Sequence, residues 1–284
     1  VLTRSRPWLD AHIADAGRGG KRRRLLRWSV GGAVLGALLS LLAFAPASWL
    51  ARGIDQASAG RLLLADARGS IWAGSALLVL SAGRGSHDAS ALPGRMAWRT
   101  ELSRQGLLVH LSQPCCLNGE VSLQLQPGLG SAKLSLAAAQ LPWIARWPSA
   151  WLGGLGTPWN TLQLEGSVRL SAQQLSLEWA LGRWRQAGQL HFDIVNLSSR
   201  VATVEPLGSY RFSISGDASR PGVNRLQLST LEGALMLNGE GTFDNGRVHF
   251  QGVAKAAPAR ETALDNLLNI IGRRQGAQSL ISIG

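Results

Sequence analysis

The chain has 284 residues, 45% of them hydrophobic and only 16% charged, with a net charge of +12. That apolar content excludes wholesale disorder, and the length suits one large domain or two small ones. Sparse charge beside 34 glycines and 11 tryptophans suits a β-rich chain with many tight turns, or one that works beside a membrane.

The positive charge is concentrated at the front. Residues 1–27 carry Arg4, Arg6, Arg18, Lys21, Arg22, Arg23, Arg24 and Arg27 against Asp10 and Asp15, half of the net excess. A basic chain ordinarily raises nucleic acid as a partner. Here the charge abuts an apolar run, and no nucleic-acid partner is expected. From Trp28 to Ala51 the sequence has no charged residue. Its 24 positions would span about 36 Å as a helix, more than the roughly 30 Å hydrocarbon core.

Residues 28–51 are therefore expected to form a single transmembrane helix, with Trp28, Leu35, Leu39, Leu42, Phe44 and Trp49 as anchor residues. Indoles near both ends favour the headgroup region. Lys21, Arg22, Arg23, Arg24 and Arg27 then read as the topogenic signal. They hold a basic cytoplasmic arm, residues 1–27, inside and send residues 52–284 across. A removable signal peptide is the rival, since Ala45-Pro46-Ala47 precedes Ser48 with small residues. The long basic arm and the continuation of the apolar run to Ala51 favour a retained anchor.

Beyond Ala51 the dominant period is two. Leu175, Leu177, Trp179 and Leu181 alternate with polar neighbours, as do Leu190, Phe192 and Ile194, and Tyr210, Phe212 and Ile214. Such alternation marks strands with one dry and one wetter face. Roughly a dozen strands follow one another, and Asn245-Gly246 suits a two-residue hairpin turn. No helix-period segment intervenes, so a parallel βαβ fold is excluded. The fold class expected is mainly β: the N-terminal span, then a curved, consecutively paired antiparallel sheet in a periplasmic domain, with a short C-terminal helix.

One interruption is rich in tryptophan: Trp143, Trp147, Trp151 and Trp159, with three prolines. The first three are four apart and would share one face of a short helix. They form a possible interaction surface, an aromatic platform for sugar, lipid headgroup or partner; the alternative is a loop plugging one end of the core. Cys115 and Cys116 are adjacent, a possible redox pair. A vicinal bond, a bond to a partner and burial as two thiols remain open, while no further cysteine or nearby histidine completes a metal site. Phosphate-loop, dinucleotide, nucleophile-elbow and zinc-protease motifs are absent from the sequence. No catalytic residue, metal or cofactor is expected, and the chain is read as a non-enzyme.

At the C-terminus, Leu264, Leu267, Leu268 and Ile271 follow helical spacing, with Gly272 where a C-cap belongs and Arg273-Arg274 beside the negative helix end. Leu280, Ile281 and Ile283 suit a final strand. A helix this short must be docked, across one mouth of the sheet.

Several of these stretches together resemble the type II secretion system protein N family. They are residues 62–74 (LLLADARGSIWAG), Trp98-Arg99, residues 141–148 (LPWIARWP), residues 231–258 and residues 263–284. Gly69, Trp72, Gly74, Leu267, Leu268, Gly272 and Gly284 carry the match, as turn glycines and core apolars. The resemblance implies a single-pass protein of the bacterial inner membrane, its bulk in the periplasm, serving as an accessory component of type II secretion and binding its other components. The family is also similar to AsmA-like proteins, which implies a lipid-holding groove; lipid binding or transfer is therefore an alternative function. A peptidoglycan- or carbohydrate-binding module is a further one.

Overall fold

The computed structural model describes residues 16–137, 142–157, 159–180, 182–217, 220, 222–244 and 247–284, with side chains from Trp28 onward. The chain divides into two units, Val1–Ala45 and Pro46–Gly284.

In the first unit, helix α1 runs over Ala16–Ala43. Every described side chain from Trp28 to Phe44 is exposed, including Trp28 at 75% and Phe44 at 81%. The expected 24-residue helix does not form. The α-helix stops at Ala43, and Pro46 stands as the N-cap of a separate helix, α2, Ala47–Ala57. A proline has no N–H for the helical ladder and its ring clashes with the preceding turn, so it starts helices and does not continue them. Among the described residues no helix is long and apolar enough to cross a membrane.

The second unit is one sixteen-stranded sheet with short covers. Its strands are β1 (Leu62–Gly69), β2 (Ala73–Ser81), β3 (Ala89–Ala91), β4 (Met96–Ser103), β5 (Gly106–Ser112), β6 (Glu120–Gly128), β7 (Ser131–Leu136) and β8 (Ala145–Pro148). After a 3-10 turn over Ser149–Leu155 and the one-turn helix α3 (Trp159–Leu162) come β9 (Leu164–Ala180), β10 (Arg183–Ser199), β11 (Gly208–Gly216), β12 (Val223–Gly233), β13 (Leu235–Asp244) and β14 (Arg247–Ala256). Helix α4 (Glu261–Ile271), β15 (Arg273–Gln275) and β16 (Gln278–Ile283) finish the chain. All pairings are antiparallel, and spatial order follows chain order except that β16 lies inside β15 and that β3 and β8 lie off the main path. The expected consecutive pairing is what forms. β13 and β14 register to Asp244 opposite Arg247; the Asn245-Gly246 turn between them lies outside the described residues.

Three small clusters cover the apolar face. Ala47, Ala51 and Ile54 of α2 pack on Leu64, Ala76 and Trp98. Ala47 to Ala51, assigned above to the span, thus belong to a helix lying on the sheet. Leu162 packs against Leu164, Leu197 and Tyr210. Leu264, Leu267 and Leu268 of α4 pack on Leu207, Leu235 and Ala254, so the expected C-terminal lid is present. Its cap differs from expectation: Gly272 is extended, not left-handed, because β15 begins at once. A side chain on Gly272 would still meet the Leu280 carbonyl. Arg274 turns back to donate to Asp265 at 2.5 Å.

Two polar contacts fix neighbouring elements, one within the sheet and one between the sheet and α4. The buried Tyr210 hydroxyl donates to the Leu235 carbonyl at 2.9 Å, and burial pushes its pKa up. Ser279, fully buried, donates to the Leu268 carbonyl. Leu268→Ala should destabilise the detergent-solubilised chain by about 2–5 kcal/mol in denaturant unfolding. Tyr210→Phe, which keeps the ring and strands the Leu235 carbonyl, should cost about 1–2 kcal/mol. A Leu268→Ala loss below that of Tyr210→Phe would contradict the docking of α4.

Candidate functional site

The tryptophan segment folds differently from expectation. Trp143 precedes β8, Trp147 lies within it, and Trp151 lies in the 3-10 turn, so the three do not line one face of a helix. The reason is in β9. Its second half, Ser176–Ala180, pairs with β7, which leaves Ser167–Leu170 in need of a partner; Ala145–Pro148 supplies it. Trp147 and Trp151 meet edge to face at 77°, and Trp147 also meets Phe192. The Trp151 indole donates to the Ser90 carbonyl at 2.9 Å. Trp159 is 37% exposed. The Trp147 and Trp151 rings are thus crossed rather than coplanar, and the Trp147 indole N–H is buried with no hydrogen-bond partner among the described residues.

The neighbouring turn ties this plug to the sheet. Cys115 and Cys116 form a vicinal disulfide, with Cα atoms 3.7 Å apart; Cys115 is exposed and Cys116 buried. The Arg146 N–H donates to the Cys116 carbonyl, and Asn118 donates through its backbone to Ile144 and through its side chain to the Trp143 carbonyl.

On the wet face of β9, β10 and β11, cross-strand register builds three polar rows. Arg169, Asp193 and Arg211 form one, Ser171, His191 and Ser213 the next, and Gln173, Gln189 and Ser215 the third. They lie in and around a cavity of about 1180 Å³. At its floor Asp193, only 6% exposed, accepts from Arg211 Nε at 2.6 Å and Nη2 at 2.8 Å. This bidentate pair holds the Asp193 carboxyl below the usual range and raises Arg211. His191 Nδ1 lies 2.8 Å from Ser213 Oγ. Sequence reading placed these residues on wet strand positions; the rows needed register, which alternation alone does not give.

His110 offers a test for relay chemistry. Its Nδ1 lies 2.7 Å from Glu120 and 3.0 Å from Ser122 Oγ. A Ser-His-acid relay needs its two partners within hydrogen-bond reach on opposite ring nitrogens; here both close partners crowd Nδ1, and Glu101 lies 3.9 Å from Nε2, beyond hydrogen-bond distance.

The apolar face carries a ladder of leucines. Leu102, Leu107, Leu125, Leu134 and Leu177 are directly opposite one another across β4, β5, β6, β7 and β9. None belongs to the three covered clusters; Leu102 is 85% exposed and the others are half-buried. Beside the ladder, Trp179 and Trp184 pair across the β9–β10 hairpin, with Trp184 63% exposed.

A family model described as Type II secretion system (T2SS), protein N, matches residues 60–281. The chain belongs to this family. No curated protein and no solved structure matches it. Family membership makes it an accessory component of type II secretion, whose partners include other proteins of that system. The match opens at Gly60, just before β1, and closes at Ile281 inside β16, so what the family model describes is the sheet with α3 and α4, while α2 lies before it. The residues that carried the resemblance have structural work. Gly69 has φ +88°, and a side chain on Gly74 would strike the Trp98 ring, whose indole donates to the Ser70 carbonyl at 3.1 Å. Leu267 and Leu268 are on the buried face of α4, against the sheet.

Of the other predicted positions, Leu35, Leu39 and Leu42 lie on α1 and Phe44 just past its end, all with exposed side chains, and Trp49 lies on α2, 45% exposed. Lys21, Arg22, Arg23, Arg24 and Arg27 lie on the backbone of α1; their side chains lie outside the description.

The Asp193 pair has a defined pH signature. Because the folded pKa is depressed, its stabilisation is complete above the ordinary aspartate pKa and is lost as pH falls through the lower, folded one. Asp193→Asn should cost about 2 kcal/mol at neutral pH, and its deficit should shrink as pH drops below about 4. Parallel melting curves of the two proteins from pH 7 to pH 3 measure this. A deficit that is constant over the range would refute the ion pair.

Proposed function

We propose that the chain is a membrane-anchored, non-catalytic accessory component of type II secretion, whose sheet binds neighbouring components in the periplasm. The observation that carries this reading is the extent of the family match, which coincides with the sheet. The leucine ladder supplies a surface of the right kind. Five apolar side chains in one cross-strand row, left outside the protein's own covers, favour burial against a partner.

Strand addition at the sheet ends is the weaker mode. At β1 the Ser58 hydroxyl takes the Leu62 N–H at 3.0 Å, and the register shifts between Ala65 and Arg68, where Asp66 has φ +50°. At the other end β15 is three residues long and basic. Short, bulged and charged edges resist pairing, which leaves the face as the contact surface.

The anchor in this proposal is α1. From Trp28 to Ala43 its side chains are apolar or small and exposed, a state that lipid relieves. That portion covers about 24 Å, short of the roughly 30 Å hydrocarbon core, so in this proposal the bilayer thins locally around it and the flanking side chains snorkel. The basic run at Lys21–Arg24 then keeps the N-terminus cytoplasmic. The full chain should stay with membranes through alkaline carbonate. Joint Leu35→Arg and Leu39→Arg substitution, at about 2.5–3.5 kcal/mol per charge mid-bilayer, should release it. Wild-type chain found in the carbonate supernatant would end the anchor.

The functional reading is tested by affinity purification from membranes and by deletion. Expected are co-purifying secretion components and reduced exoprotein release. Neither partners nor any change in release would overturn it.

A second reading has an observation of its own: the same leucine ladder could seat acyl chains. Native mass spectrometry of the purified chain should then show bound lipid that is lost with Leu125→Asn and Leu134→Asn. A lipid-free spectrum rules it out.

A further inference from the structure

The wet face carries a charge arrangement that folding does not explain. In one cross-strand row stand Arg146 on β8, Arg169 on β9, Asp193 on β10 and Arg211 on β11. Three guanidinium groups share one carboxylate. Arg211 takes both oxygens of Asp193. Arg146 donates to Ser167 Oγ at 3.2 Å, a neutral partner. Arg169 has no hydrogen bond or ion pair among the described residues; its charge helps to lower the Asp193 pKa. Arg146 and Arg169 are directly opposite each other, and like charges in that position destabilise a sheet. A row with two surplus cations, one of them lining a cavity, is built for an anion.

The rest of the cavity states what kind of anion. Gln173, Gln174 and Gln189 line it together with Ser171 and Ser215, and none of the three glutamine side chains has a hydrogen-bond partner among the described residues. Amides that both donate and accept match a peptide backbone. An acyl chain would find only Leu136, Pro142 and Ala172 to hold it here, since the sheet's larger apolar residues, Leu170, Phe192 and Phe212, alternate onto the opposite face. We infer that this cavity binds an acidic peptide segment of a partner protein. Arg169, seconded by Arg146, takes a carboxylate, and the glutamines take the main chain. Arg211 is the positioning residue, since it neutralises Asp193 and so leaves Arg169 free.

This rests on the reading of the sheet as a binding surface for other proteins, and it is tested on the purified chain alone, so the two fail separately. The full chain in detergent micelles is titrated by fluorescence anisotropy with a labelled peptide of alternating glutamate and glycine. The glutamine-glycine analogue and glycerol phosphate serve as the other probes. Expected is saturable, salt-sensitive binding of the glutamate peptide, at least tenfold weaker for its glutamine analogue. Arg169→Gln should weaken it about tenfold and Arg146→Gln by less. Arg169→Gln should leave the melting temperature unchanged or raised, because it relieves the opposition of like charges; a lowered one would assign Arg169 to folding. Equal binding of both peptides, or binding indifferent to Arg169→Gln, would overturn the proposal. So would binding of glycerol phosphate in preference to the peptide, which would turn the site over to phosphate headgroups.

Discussion

A sheet of sixteen strands has two broad faces, and among the described residues the dry one receives only short covers. That mismatch between apolar area and cover governs the rest of the structure. Alternation puts apolar side chains on one face all along the sheet, and each of those must find a helix, a plug or something from outside. Helix α2 serves β1, β2 and β4, and α4 serves β13 and β14. The β8 segment and its tryptophans serve the region of β9 and β10. Between these lies the row from Leu102 to Leu177, which none of them reaches. A protein that only had to fold would gain by making that row polar.

The opposite face answers a different constraint. Its rows are polar, as water or a polar partner demands, yet Asp193 at the cavity floor is nearly sealed from solvent. A carboxylate there needs a rigid, doubly bonded cation, and Arg211 provides one. With Asp193 satisfied by a single arginine, Arg169 and Arg146 are surplus. The two faces thus present complementary chemistry: a leucine row that favours apolar contact, and an arginine-glutamine bed that favours an acidic strand of backbone. A membrane-held scaffold contacting more than one neighbour would use both.

Much of this was legible in the residues, for local reasons. Period-two alternation and Gly, Asn and Pro turns marked the strands and their consecutive order, because hairpins are local. The helical spacing of Leu264, Leu267 and Leu268 marked the lid. What escaped depended on register and competition between distant segments. Residues 168, 170 and 172 share a face with 175, 177 and 179 because of the irregularity where Gln174 takes φ +49°; nothing in a glutamine announces that. The tryptophans four apart looked helical until the unpaired half of β9 claimed them. The uncharged run from Trp28 to Ala51 looked like one helix, but Pro46 divides it, and the amphipathic α2 belongs to the sheet. The arginine row was invisible because its members are separated by 23, 24 and 18 positions in the chain and meet only across strands.

The central claim is that this sheet is a periplasmic contact surface for other secretion components. Photocrosslinking in intact cells tests it most directly, with a photoreactive residue placed in turn at Leu125 on the ladder, at Arg146 at the end of the arginine row, and at Ser58, just past α2. Adducts with another type II secretion protein from Leu125 or Arg146, and none from Ser58, are the predicted result. Adducts with cytosolic proteins from any of the three, or none with a secretion component from either face, would contradict the account.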